Sequence, residues 1–137
     1  MSHFTRVRTA LRDAQTLAEA LRSLGFAKVE IHDEKAALRG YYGTEDANRA
    51  EIIIRKRNAP GALADIGFAR RPDGTYEAVL DAMDRRRYGN DWMNRLARAY
   101  GHAAAVRYAA DHGYDIIADE SEQDGTRRLT LRRTVST

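Results

Sequence analysis

Two helix-to-strand junctions of the same kind constrain this chain more than any other feature. Leu24-Gly25-Phe26-Ala27-Lys28-Val29 closes one helical pattern and opens a strand pattern, and His112-Gly113-Tyr114-Asp115-Ile116-Ile117 does the same near the other end. Glycine suits the left-handed position that stops a helix, and the aromatic that follows starts an alternating run. The first helix is well defined. Asp13 supplies a carboxylate to cap its free amides, and Ala14, Leu17, Ala18, Leu21 and Leu24 recur on one face. The second, capped by Asn90 or Asp91, runs about 20 residues to Gly113, with Met93, Leu96, Tyr100, Ala103 and Ala104 as its apolar stripe.

Short strand patterns fill the rest. Ser2 to Arg8 alternates loosely, and Ala27 to His32 alternates strictly, as a half-buried strand does. Asp33-Glu34-Lys35 reads as a turn into a partner strand, Ala37 to Tyr42. Ile52-Ile53-Ile54 is β-branched on both faces, the mark of a central strand. Ile66 to Ala69 and Tyr76 to Leu80 flank Pro72-Asp73-Gly74, a hairpin signal. Tyr114 to Ala118 and Leu129 to Leu131 flank Asp124-Gly125 in the same way. The expected fold is α+β: a single antiparallel sheet of six to seven strands with two helices on one face, and a β-α-β-β pseudo-duplication behind the paired junctions. At 137 residues the chain fits one domain, expected over 1–133 with a short flexible tail at 134–137.

Composition removes several function classes. With no cysteine there is no disulfide framework, thiolate metal site or thiol nucleophile. The longest low-charge stretch, Gly101 to Val106, is far shorter than the roughly 20 residues a membrane span needs. The start of the chain has no apolar run of signal-peptide type. A cytoplasmic protein without membrane contact is the expectation.

Met1-Ser2-His3-Phe4-Thr5, Leu24-Gly25-Phe26, Arg39-Gly40-Tyr41, Asp65-Ile66-Gly67-Phe68, Tyr100-Gly101-His102 and the Asp124-Gly125 turn occur in that order. In this the chain resembles the conserved hypothetical plastid reading-frame family, a domain of unknown function found in cyanobacteria, plastids, other bacteria and phages. The likeness covers about residues 1 to 133. It departs from the family where relatives tend to have Tyr-Ala-Tyr-His and this chain has Arg98-Ala99-Tyr100-Gly101-His102. The resemblance implies family membership, a cytoplasmic or stromal setting and an association of bacterial members with ATPases of the AAA+ class. It implies no established activity. Its motif residues here are Ser2, His3, Phe4, Gly40, Tyr41, Asp65, Ile66, Gly67, Phe68, Tyr100 and His102.

Three functional readings follow. In the first, the protein is a non-enzymatic adaptor. A sheet with helices on one side leaves its reverse face or an edge open, and that surface binds a protein partner or a second copy. In the second it binds nucleic acid through Arg55, Arg57, Arg85, Arg86 and Arg87, with Tyr88 and Trp92 as a stacking platform. In the third, His3, Asp65 and His102 converge for acid–base chemistry, against the alternative that His3 and Asp65 form a buried pair fixing strand register. None of His3, His32, His102 and His112 has metal-ligand spacing, so neither a metal nor a cofactor is expected.

Overall fold

A computed structural model describes residues 3–123 and 126–133. The strands are β1 (Phe4–Arg8), β2 (Glu30–Arg39), β3 (Glu45–Ile54), β4 (Ile66–Arg70), β5 (Tyr76–Asp81), β6 (Tyr114–Ser121) and β7 (Arg127–Arg133). The helices are α1 (Ala14–Ser23) and α2 (Asn90–Asp111), with short 3₁₀ turns at Lys56–Asn58 and Ala82–Arg86. No helix among the described residues is long and apolar enough to cross a membrane.

Helix α1 forms as its sequence dictates. The Asp13 carboxylate accepts from the Thr16 amide at 2.9 Å and the Thr16 hydroxyl at 2.7 Å, bonds that hold Asp13 below the ordinary carboxylate range. Helix α2 begins differently. Gly89 is its cap and makes no side-chain bond, so neither Asn90 nor Asp91 plays that part. Both helices pack on one face of the main sheet. Leu17 and Leu21 of α1 and Trp92 and Leu96 of α2 meet Ile52, Ile54, Phe68, Ala78 and Leu80. The Arg107 guanidinium bonds Glu19 at 2.7 Å and joins the two helices at the surface.

The main sheet is antiparallel with five strands in the order β1-β5-β4-β3-β2, and among the described residues β6 and β7 pair only with each other. The expected single sheet of six or seven strands is therefore split. The cause lies in α2, whose 22 residues extend about 33 Å. Its first half buries Trp92 and Leu96 against the sheet, whereas its second half buries only Ala109 and carries the β6–β7 ribbon beyond it. The paired junctions are alike locally, with Gly25 at φ 104° and Gly113 at φ 72°. Their strands nevertheless enter different sheets, and the topology does not confirm a duplication. The Asp124-Gly125 turn and the 134–137 tail lie outside the described residues.

The larger departure concerns the reverse face. Asp33-Glu34-Lys35 does not turn the chain back. It lies inside one long β2 whose pairing with β3 is irregular between Ile31 and Ala36. Three charged, solvated residues let the strand bulge and bend there. The distal half of the β2–β3 ribbon consequently folds back across the sheet. Asn48 of β3 accepts a 3.0 Å bond from Arg6 of β1, at the opposite edge of the strand order. Under this flap lies a second core in which Leu38, Ala50, Ile53 and Val79 have no exposed surface. Gly67 makes the closure feasible, since a Cβ there would lie 2.8 Å from Ala50 Cβ and 2.9 Å from a Leu38 methyl. The sheet is covered on both sides, and the reverse face expected to recognise a partner is already occupied by the chain's own ribbon.

Candidate functional site

The motif residues converge on two structural junctions. Asp65, just before β4, is 2% exposed and its carboxylate is fully used. One oxygen accepts from the Arg39 amide and from Arg55 Nη1, each at 2.8 Å, and the other accepts from the Lys56 amide at 2.8 Å. The Asp65 amide in turn donates to the Arg39 carbonyl at 3.0 Å. The other side of the Arg55 guanidinium grips Glu30 bidentately, at 2.8 and 3.0 Å, and bonds the Ala37 carbonyl. These bonds to Arg55 outweigh burial and hold the Glu30 carboxyl below its usual range, with a smaller contribution from His32. Buried charges need such complete pairing. The cluster clamps the folded-back end of the ribbon to the sheet.

Most other motif residues are architectural too. Ile66 and Phe68 are core, Gly67 admits the flap, and Phe4 packs beneath it. Gly40 donates to the Thr44 carbonyl in the ribbon's end loop. Tyr41, on that loop, is 48% exposed and lies under the Lys56 ammonium at 5.0 Å from its ring. The Tyr100 hydroxyl accepts from the amides of Arg12 and Asp13, fixing the loop that starts α1. Ser2 lies outside the described residues.

The proposed catalytic group does not assemble. The backbone amide of His3 donates to Asp81 at 3.0 Å, with no tie to Asp65. Asp65 belongs to the clamp, and His102, midway along α2, faces β6. Each of the three bonds a different partner. The expected His3–Asp65 register pair is likewise replaced, by the bonds to Asp81 and to Arg39. Among the described residues no group of three or more His, Asp or Glu side chains is placed to hold a metal ion.

The arginine set is also redistributed. Arg55 is sequestered in the clamp, 13% exposed at its side chain. Arg57 and Arg85 to Arg87 stay exposed. Tyr88 and Trp92 are 4% and 6% exposed and stack edge-on with Phe26 in the core, so they offer no platform to a base. Sequence reasoning missed a different group. Arg95, Arg98 and His102 sit at i, i+3 and i+7 of α2 and share one face. His102 Nε2 lies 2.9 Å from Asp119 on β6. Arg127 of β7 donates to both Asp119 oxygens at 2.9 and 3.1 Å and stands 3.1 Å from the same imidazole nitrogen. Arg127 first and His102 second keep the Asp119 carboxyl below its ordinary range. The helical spacing of Arg95, Arg98 and His102 was visible in the sequence, but nothing there placed β7 beside them.

Those residues line a cleft. Its widest part, about 570 Å³, has Arg95, Arg98, Ala99 and His102 as floor. The end of α1 (Ser23, Leu24) forms one wall, and Ser121, Gln123 and Arg127 form the other. One end continues into a hollow of about 380 Å³ along His102, Ala105, Arg127 and Leu129. The other passes Arg95 into one of about 210 Å³ beside Arg87, Pro60 and Trp92.

The sheet closed on both faces, with a basic, helix-floored cleft beside it, defines an α+β domain. Residues 20–130 match the family described as protein of unknown function DUF1257, and the chain belongs to that family. It is similar over 97% of its length to the uncharacterized protein ycf35 of Guillardia theta, at 26% identity and 98% of that protein's length. The proteins of the same name from Pyropia yezoensis and Cyanophora paradoxa are each 24% identical, again over 97% of this chain and 98% of theirs. The plastid reading-frame resemblance is thereby confirmed. No solved structure matches the chain.

Proposed function

We propose that this protein is a non-enzymatic binding module that engages its partner from the side formed by α2 and the β6–β7 ribbon. One observation carries this reading. The sheet buries both faces in the chain's own cores, while the cleft beside α2 is lined by Arg95 and Arg98, which have no ion-pair partner among the described residues. Charged side chains without a partner around a concave surface are what a complementary ligand finds. Two of the candidate acid–base residues support the non-catalytic part, because Asp65 is bonded to Arg55 and His102 to Asp119.

A protein partner at the ribbon is a second reading with its own support. Ile117 is 52% exposed, Tyr108 54% and Ile116 38%, all on or beside a two-stranded ribbon whose outer edges pair with no other described strand. A photo-crosslinking residue placed at Arg98, at Ile117 or at Glu51 on the flap side, in the protein's native cells, tests the proposal. Adducts from Arg98 or Ile117 and none from Glu51 are expected. Adducts from Glu51 alone contradict it.

A further inference from the structure

Resting on that reading, we infer that the α2 cleft binds the phosphate backbone of single-stranded nucleic acid. Its basic lining is continuous: Arg95 joins the hollow beside Arg87 to the central cleft, and Arg98 and Arg127 join that cleft to the hollow beside Leu129. Between Trp92 and Ala105 this path follows α2 for about 20 Å. Guanidinium groups repeated along a line fit a polymer of phosphates better than one small anion, because each forms a forked contact with its own phosphate. Asp119 already neutralises Arg127 and His102, and Arg128 neutralises Glu122, so the phosphate contacts fall to Arg87, Arg95 and Arg98. With the end of α1 on one side and Ser121, Gln123 and Arg127 on the other, the cleft suits one extended strand. Tyr88 and Trp92 border this path at only 4% and 6% exposure, too little to stack on a base, so binding reads backbone and not sequence.

Fluorescence anisotropy of a labelled oligothymidylate of about 12 nucleotides, titrated with the full chain across a salt series, tests this. Arg87, Arg95 and Arg98 contribute about three phosphate contacts, so log K should fall against log salt with a slope of about −2, a loss of about a hundredfold per tenfold of salt. Arg95→Ala/Arg98→Ala should cut affinity at low salt by about tenfold or more and flatten the slope to about −0.7. Both side chains are exposed without ion pairs among the described residues, so an unchanged melting temperature will show that the variant folds. Arg8→Ala/Arg57→Ala, at exposed positions outside the cleft, should bind as the parent does. No binding at concentrations on the order of 100 µM in low salt overturns the inference. So does a duplex of equal length binding as tightly, or indifference to the Arg95/Arg98 change. Equal binding of polyglutamate also overturns it, by pointing to an acidic protein segment. In that last case the crosslinks from Arg98 survive as protein adducts, whereas failure of the broader reading removes them altogether.

Discussion

Replacing Asp65 by asparagine keeps the shape of the clamp and removes its charge. The parent carboxylate accepts two backbone amides and one guanidinium arm, each at 2.8 Å, at 2% exposure. An amide of the same size turns its NH₂ toward at least one of those donors, and Arg55 loses one of its two carboxylate partners while remaining largely buried. Breaking a buried, hydrogen-bonded ion pair from one side costs about 3–5 kcal/mol. For a chain of 137 residues the entropy of unfolding converts each kcal/mol into about 3.5 °C. The melting temperature should therefore fall by about 10–17 °C, measured by circular dichroism at pH 7. Arg55→Met should show a similar loss, and the double variant should lose much less than the sum of the two. A fall of less than about 4 °C, or simple additivity, refutes the claim that this pair fastens the flap.

Other perturbations follow from the same contacts. Gly67→Ala forces a methyl against Ala50 and Leu38, and overpacking of this kind costs about 1–3 kcal/mol, read from urea denaturation; an unchanged midpoint means the flap is not seated as described. Tyr100→Phe removes the acceptor shared by the Arg12 and Asp13 amides, and these two amides should exchange with deuterium faster while those of β4 keep their protection. Glu30 has a folded pKa below its unfolded value, so its contribution is present above the unfolded value and is lost as pH falls through the folded one. Stability should decline below about pH 4.5, and Glu30→Gln, less stable at neutral pH, should decline less steeply; parallel profiles contradict that assignment. The β6–β7 amides, paired in two strands only, should exchange well before those of the main sheet.

Much of the architecture was legible because it is written in local patterns. The spacing of Leu17 and Leu21, the Asp13 cap and the Pro72-Asp73-Gly74 hairpin each work within a few residues. The Gly74 amide bonds Arg71 there as such a turn requires. What escaped was every feature set at long range. Asp33-Glu34-Lys35 has turn composition, yet its role is to bend one strand, and the choice depends on Leu38 and Ala50 finding Gly67 across the sheet. Trp92 and Tyr88 look like a surface pair beside three arginines, but helix phase turns Trp92 into the core with Phe26, and bonds to the Asp84 and Pro60 carbonyls hold Tyr88 there. Arg55 sits in a basic run, and only the fold reveals that Glu30 and Asp65 neutralise it. The cleft needed the same information, since Arg127 and His102 are far apart in sequence.

Hydrogen-exchange footprinting with and without the single-stranded oligonucleotide addresses the central claim most directly, because it compares the cleft and both faces of the sheet in one experiment. Slower exchange on binding should be confined to α2 between Trp92 and Ala105, the end of α1 and the neighbouring ribbon residues, with the β2–β3 flap and β1 unaltered. Protection that instead appears on the flap or along the β1 edge contradicts the assignment of recognition to the α2 side.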